Sequence, residues 1–157
     1  MPDIPPNIPQ KKVVNKLLGE ILIERQIITR EQLQEALSIL KKEEKLIGEI
    51  LVEKGFAREE DIAQTLTAQY GFPYLPLDSY EIEAEIIKLI PQDLAKQYVI
   101  IPVDKLGNSL SVAMSNPLNN EAVQKIEKLT NLHIQIFVST SSDVRRAIDK
   151  YYKKEDR

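Results

Sequence analysis

Few residues in this chain have both the type and the spacing that chemistry needs. The single histidine, His133, stands in the run LHIQIFV, where strand alternation sets it opposite Leu132, Ile134 and Ile136. An imidazole can act as a base or a metal ligand. With no thiol or acid spaced to join it, however, it makes a poor metal site, and a solvent-facing place is expected. Glu81, Glu83 and Glu85 resemble a paired-acid set for proton transfer, yet alternating glutamates on a short exposed helix read as a solvated face. Ser139, Thr140, Ser141 and Ser142 offer hydroxyls, but small polar residues just ahead of a helix are what N-capping requires. Lys150, Lys153, Lys154 and Arg157 gather at the end of the last helix, where they suit the negative end of its dipole. Cysteine is absent, which removes thiol nucleophiles, thiolate metal sites and disulfides, and makes a cytoplasmic location natural. The phosphate-cradling GxxxxGK[ST] and GxGxxG loops and the GxSxG elbow are missing too. The expectation is a chain that is not an enzyme, with no catalytic residue and no metal.

Binding is therefore the chemistry to look for. The 157 residues carry 21 Lys and Arg against 24 Asp and Glu, a net charge of -3, which provides no basic footprint for nucleic acid or an anionic membrane. No apolar run approaches the roughly 20 residues that span a bilayer, and the first residues lack the basic-then-apolar pattern of a signal peptide.

The elements that would position a ligand are organised by an internal repeat. LLGEILIERQIITREQLQEALSIL, from Leu17, is followed 29 positions later by LIGEILVEKGFAREEDIAQTLTAQ, from Leu46. Without a gap, Gly19 meets Gly48, the run Glu20, Ile21, Leu22 meets Glu49, Ile50, Leu51, and Leu33 and Leu37 meet Ile62 and Leu66. Two copies are too few for a solenoid and predict a small helical unit with pseudo-symmetry and a groove between copies. Each copy predicts a short helix, a tight turn at Gln26 or Gly55, and a longer helix. Thr29 and Gln32 have capping-box spacing, and Gly71 is a helix stop.

Around the repeat, residues 1–12 hold Pro2, Pro5, Pro6 and Pro9 with no hydrophobic period and read as a disordered Pro-rich arm. Residues 13–72 form the helical tandem-repeat subdomain, in which the KKEEK run of 41–45 is a polar connector. GFPYLPL, Gly71 to Leu77, marks the boundary, because Pro73 and Pro76 exclude helix and leave an extended segment that docks on something. Residues 73–152 then predict short helices at 82–90 and 92–97, a hairpin of strands 98–104 and 110–115 turning at Gly107-Asn108, and a helix at 120–129 capped by Asn119 or Asn120. A third strand at 132–138 and a closing helix at 141–152 follow. Residues 153–157 are a polar tail. The fold class expected is α+β: a four-helix subdomain from the tandem repeat, followed by a small three-stranded sheet with packed helices.

These motifs, in this order, carry a resemblance. The paired Leu18-Gly19 and Ile47-Gly48, then Gly71 to Leu77, Leu89 to Val103 (LIPQDLAKQYVIIPV), Ser109 to Asn119 (SLSVAMSNPLN) and Tyr151-Tyr152, resemble the N-terminal domain of type II secretion and type IV pilus assembly ATPases, the MshEN or GspE N-terminal type. The resemblance spans about Leu17 to Tyr152. It implies a domain that precedes a hexameric ATPase, absent from this sequence, so that the chain is either a stand-alone adaptor or part of a longer motor. It also implies partners: a secretion or pilus assembly platform protein, or the motor ATPase, met at the cytoplasmic face of the membrane.

In the MshEN branch the resemblance further implies cyclic di-GMP held by the two repeats. Carried over by position, the nucleotide-binding residues are Leu18, Gly19, Leu22 and Ile23 in the first copy and Ile47, Gly48, Leu51, Val52, Gly55 and Gln69 in the second. The family's motif opens on arginine, where this chain has Leu17 and Leu46, and the first copy puts Gln26 at the turn glycine and Leu40 at the last glutamine. Lys16 and Lys45 sit one residue earlier, about 100° round a helix, and give a point charge rather than a flat bidentate contact. By analogy with guanine readout, each lost arginine fork is worth roughly 1 to 3 kcal/mol; two would weaken a micromolar ligand by a factor of roughly 30 to 10⁴. The expected function is a non-catalytic adaptor that joins a motor ATPase to its membrane platform. Cyclic di-GMP sensing through degenerate motifs is the alternative, and otherwise no cofactor is expected.

Overall fold

The computed structural model describes residues 11–40 and 45–152, with the backbone alone for 11–17. Most of the arm, four residues of the connector and the polar tail lie outside the described residues, as do the side chains of Lys16 and Leu17. The repeat folds into α1 (Lys11–Glu24), α2 (Arg30–Leu40), α3 (Ile47–Glu53) and α4 (Glu59–Tyr70). The order short-then-long holds in the second copy only. In the first, α1 reaches back to Lys11, inside the stretch read as an arm, and outlasts α2.

Both first helices close by one device. Ile27 N–H donates to Leu22 O (2.9 Å) and Gln26 N–H to Ile23 O (2.9 Å); Phe56 donates to Leu51 O (2.9 Å) and Gly55 to Val52 O (3.0 Å). This is the paired bonding of a left-handed helix stop, with φ of 62° at Gln26 and 77° at Gly55. The α2 start has the reciprocal cap expected from its sequence: Thr29 N–H donates to Gln32 Oε1 (2.9 Å) and Gln32 N–H to Thr29 Oγ1 (3.1 Å). The second copy has Arg58 and Asp61 at those positions, and there the two side chains pair with each other instead (3.5 Å).

Beyond Gly71, which ends α4 in the left-handed conformation, the chain runs along the sheet as an extended strap. Leu75 N–H donates to Val138 O (2.9 Å), Val138 N–H to Pro73 O (2.8 Å), and Ser139 Oγ–H to Leu75 O (2.6 Å). The docking expected of GFPYLPL is therefore onto the outer edge of the third strand. After a 3-10 turn at Leu77–Ser79 come α5 (Ala84–Ile87) and α6 (Gln92–Tyr98). The first is shorter than the apolar spacing suggested, and it leaves Glu81 and Glu83 outside any helix. Tyr98, read from the sequence as the start of a strand, ends α6; Val99, at φ 52°, redirects the chain.

The sheet comprises β1 (Ile100–Leu106), β2 (Ser109–Met114) and β3 (His133–Val138) in the order β1-β2-β3. The first pair is an antiparallel hairpin and the second is parallel. The parallel step needs a crossover, which α7 (Asn120–Thr130) supplies; Asn119 Oδ1 caps it by accepting from Ala122 N–H (3.2 Å). The last helix, α8 (Ser141–Tyr152), returns over the sheet. His133 is exposed, as expected.

Two apolar clusters result. Leu18, Leu22, Leu33, Ile50 and Leu66 lie in the helical one, and Ile90, Ile101, Leu110, Met114 and Val144 in the one around the sheet. They are stitched together, because Leu118 and Val138 of the sheet region belong to the helical cluster and Leu46 of the repeat to the sheet cluster. The fold class is α+β, as expected.

Candidate functional site

A cleft of about 500 Å³ opens between the second repeat and the sheet. One wall is helical and carries Leu18, Lys45, Gly48, Glu49, Val52 and Glu59; the other carries Ser115, Asn116, Ser139 and the first turns of α8 through Arg145.

Of the residues expected to hold nucleotide, Leu18, Gly48 and Val52 line this cleft. Leu22, Ile47 and Leu51 are fully buried in the helical core, and Ile23 packs against it. Gly19 faces α2 so closely that a Cβ there would stand 2.5 Å from Leu33 Cδ1, whereas a Cβ on Gly48 would meet Ile62 Cδ1 at an ordinary 3.5 Å. The two glycines therefore occupy matching places against matching partners, and the first packs tighter. Gly55 forms its turn, and Gln69 is exposed on α4; neither is a lining residue, nor is Gln26. Lys45 reaches the rim, where its Nζ donates to Glu53 Oε2 (2.6 Å).

The strongest polar features of the cleft were not singled out from the sequence. Glu49 accepts from Leu46 N–H (3.0 Å) at the start of α3 and takes both forks of Arg145, through Nε and through Nη2 (2.9 Å). Burial would push its carboxyl up, but the Arg145 guanidinium and the Leu46 N–H outweigh that and hold it below the ordinary carboxylate value. In the first copy the corresponding Glu20 pairs instead with Arg30 at the exposed surface (3.0 Å). Glu59, in the first turn of α4, turns its carboxylate onto the N-terminus of α8, accepting from Ser142 N–H (2.8 Å) and Ser142 Oγ–H (2.6 Å). The small polar run does cap α8, as expected: Thr140 Oγ1 accepts from Asp143 N–H (3.1 Å). Ser115 Oγ, buried in the opposite wall, has no hydrogen-bond partner. Thr140 and Ser142 had a sequence signal, their place in that run; Glu49 and Arg145 are 96 residues apart.

Among the described residues no group of His, Cys, Asp and Glu could hold a metal ion, and none of their helices is long and apolar enough to cross a membrane.

Comparison with known proteins agrees with this architecture. The MshEN domain family matches residues 70–157. The type IV pilus assembly ATPase PilB of Myxococcus xanthus is 36% identical over 138 residues, which cover 88% of this chain and 24% of PilB, so the chain spans about a quarter of that relative's length. The solved N-terminal domain of XpsE superimposes with a TM-score of 0.69 at 18% identity, covering 88% of this chain and 95% of that one. The structure of MshE with cdg gives 0.65 at 24% identity, with 86% and 98% covered. At such identities the two structures speak to the fold, which is the one described above. The resemblance to the N-terminal domains of secretion and pilus ATPases, read from the motifs, holds.

Proposed function

We proceed from the fact that the chain belongs to the MshEN domain family, and infer that it works as a non-catalytic adaptor of a type IV pilus or type II secretion system. In this reading it docks a motor ATPase on its platform protein at the cytoplasmic face of the membrane. The observation that carries it is the likeness itself: 36% identity over 138 residues to a pilus assembly ATPase, on the fold of the N-terminal domain of XpsE. Docking suits the cleft because its charged groups hold its two walls together, Glu49 on Arg145 and Glu59 on Ser142. The test is retention of the purified chain on an immobilised cytoplasmic domain of a platform protein. Binding in the micromolar range is expected; no retention at several hundred micromolar, on the order of -5 kcal/mol, would refute the reading for that partner.

A second reading, nucleotide sensing, is favoured by Leu18, Gly48 and Val52 lying on one cleft with Lys45 at its rim. The cdg of the MshE structure, taken as cyclic di-GMP, is the ligand to try. Calorimetric titration decides: low-micromolar heat that is lost on replacing Gly48 would make the chain a sensor, and no heat up to about 1 mM would leave docking as its work.

A further inference from the structure

The two repeats carry opposite charges at one matching place. Across the 29-residue shift Glu20 corresponds to Glu49 and Arg30 to Glu59, the residues that open α2 and α4. In the first copy Arg30 grips Glu20 with both forks at the exposed surface, Nη1 to Oε2 (3.0 Å) and Nη2 to Oε1 (3.1 Å). A cation in the first turn of a helix opposes its dipole, so the contact with Glu20 is what favours arginine there. In the second copy the same place holds a carboxylate. It suits the helix start and cannot partner another carboxylate.

Both acids of the second copy turn onto α8. Arg145 donates to Glu49 through Nε and Nη2 (2.9 Å), and Ser142 donates to Glu59 through its N–H (2.8 Å) and its hydroxyl (2.6 Å). Ser142 and Arg145 stand three residues apart, neighbours on one side of the helix. The two contacts bridge the walls of the cleft, which the apolar contacts of Leu46, Leu118 and Val138 join without charge. The two copies are alike enough in backbone for an exchange of partners. Their first helices close by the same paired bonds, and Gly19 faces Leu33 as Gly48 faces the corresponding Ile62. A guanidinium at position 59 would therefore reach Glu49 as Arg30 reaches Glu20.

We infer that this repeat position is a charge switch: arginine closes a copy on its own glutamate, and glutamate opens the copy onto α8. One side chain, Glu59, thereby governs both polar bridges of the cleft, the first by its own contact with Ser142 and the second by leaving Glu49 to Arg145. Reversing its charge undoes both while the apolar contacts keep the walls in place. The inference needs no ligand and no partner chain, so it stands whether either functional reading above holds or fails.

The experiment is a double-mutant cycle of Glu49→Gln and Arg145→Met, read by urea unfolding of the full chain at pH 7 and repeated in Glu59→Arg and Glu59→Gln backgrounds. In the wild type the sheltered, two-forked pair should couple by about tenfold in the unfolding constant. Glu59→Arg should bring that below about threefold, and residues 49 and 59 should then couple by about two- to fivefold, as an exposed pair does. Glu59→Gln removes the charge but supplies no cation, so it should leave the coupling of 49 with 145 within about twofold of wild type. Hydrogen exchange at the Ser142 amide should quicken most in Glu59→Arg. A coupling of 49 with 145 that survives Glu59→Arg, or that falls equally in Glu59→Gln, overturns the inference. Should Glu59→Arg fail to fold, Glu59→Lys is read in the same way; failure of both also overturns it, because the apolar contacts are expected to hold the fold without either bridge.

Discussion

Glu49 shows how one side chain ties the repeat to the rest of the molecule. Its carboxylate sits at 11% exposure while Arg145 keeps 39%, so the pair is sheltered on one side and screened by water on the other. Breaking a fully buried pair costs roughly 3 to 5 kcal/mol and an exposed one less than about 1, so Arg145→Met should cost about 1 to 3 kcal/mol at pH 7. The sign of the pH effect follows from the lowered Glu49 value. Stability from this group is complete above the unfolded carboxyl value of about 4.3 and is lost as pH falls through the folded one. Urea unfolding at pH 7 and at pH 3 should therefore show the gap between wild type and Arg145→Met closing in acid; a gap that stays constant would mean the pair contributes little. The repeat glycines offer a second test. A Cβ at Gly19 would force Leu33, itself buried, to shift. Overpacking of about 1 to 3 kcal/mol, less about 1 for the better helix former, makes Gly19→Ala destabilising by up to about 2 kcal/mol. Gly48→Ala, with ordinary contact distances, should be neutral or stabilising by up to about 1 kcal/mol. Equal effects at the two sites would contradict the difference in packing.

At the scale of elements, the two copies keep one backbone path while their side chains diverge. Gln26 adopts the left-handed turn that Gly55 adopts in the other copy, and for a residue with a Cβ that conformation costs roughly 1 to 2 kcal/mol. Gln26→Gly should relieve this at the expense of a freer unfolded chain, for a net gain of about 0.5 to 1 kcal/mol, read as a raised urea midpoint; a lowered midpoint would mean that the Gln26 side chain has a stabilising contact. The repeat, the capping box, the Gly107 hairpin, the α7 cap and α8 were legible in the sequence because each is decided within a few neighbouring residues. The site was legible only in part. Leu22, Ile47 and Leu51 share the motif with Leu18 and Val52, yet the first three are core alone, Leu18 is core that also borders the cleft, and Val52 lines it. A run of aliphatic residues meets the needs of a helix-pair core and of a pocket wall alike. Periodicity says that a face is apolar and not what covers it. The pairing of Glu49 with Arg145 had no local signal at all, since it exists only once the chain has gone round the sheet and returned as α8.

At the scale of the whole molecule, the question is whether the repeat and the sheet unfold as one. Val138 bears on it most directly. It ends β3, pairs with Met114 of β2, exchanges backbone hydrogen bonds with the strap, and puts a fully buried side chain into the helical cluster rather than that of its own sheet. Removing two methyl groups there should cost about 1 to 3 kcal/mol, from the lost burial and the void left behind. What matters is where that loss is felt. If the two clusters were independent, Val138→Ala would loosen the helices and leave the sheet as it was. Because the same residue anchors the strap and the end of β3, native-state hydrogen exchange in the variant should speed up by a similar factor at Leu66 in α4 and at Val112 in β2, as expected of one cooperative unit. Acceleration confined to α1 to α4 would separate the halves, and the cleft between them would then be a seam that opens without unfolding either side.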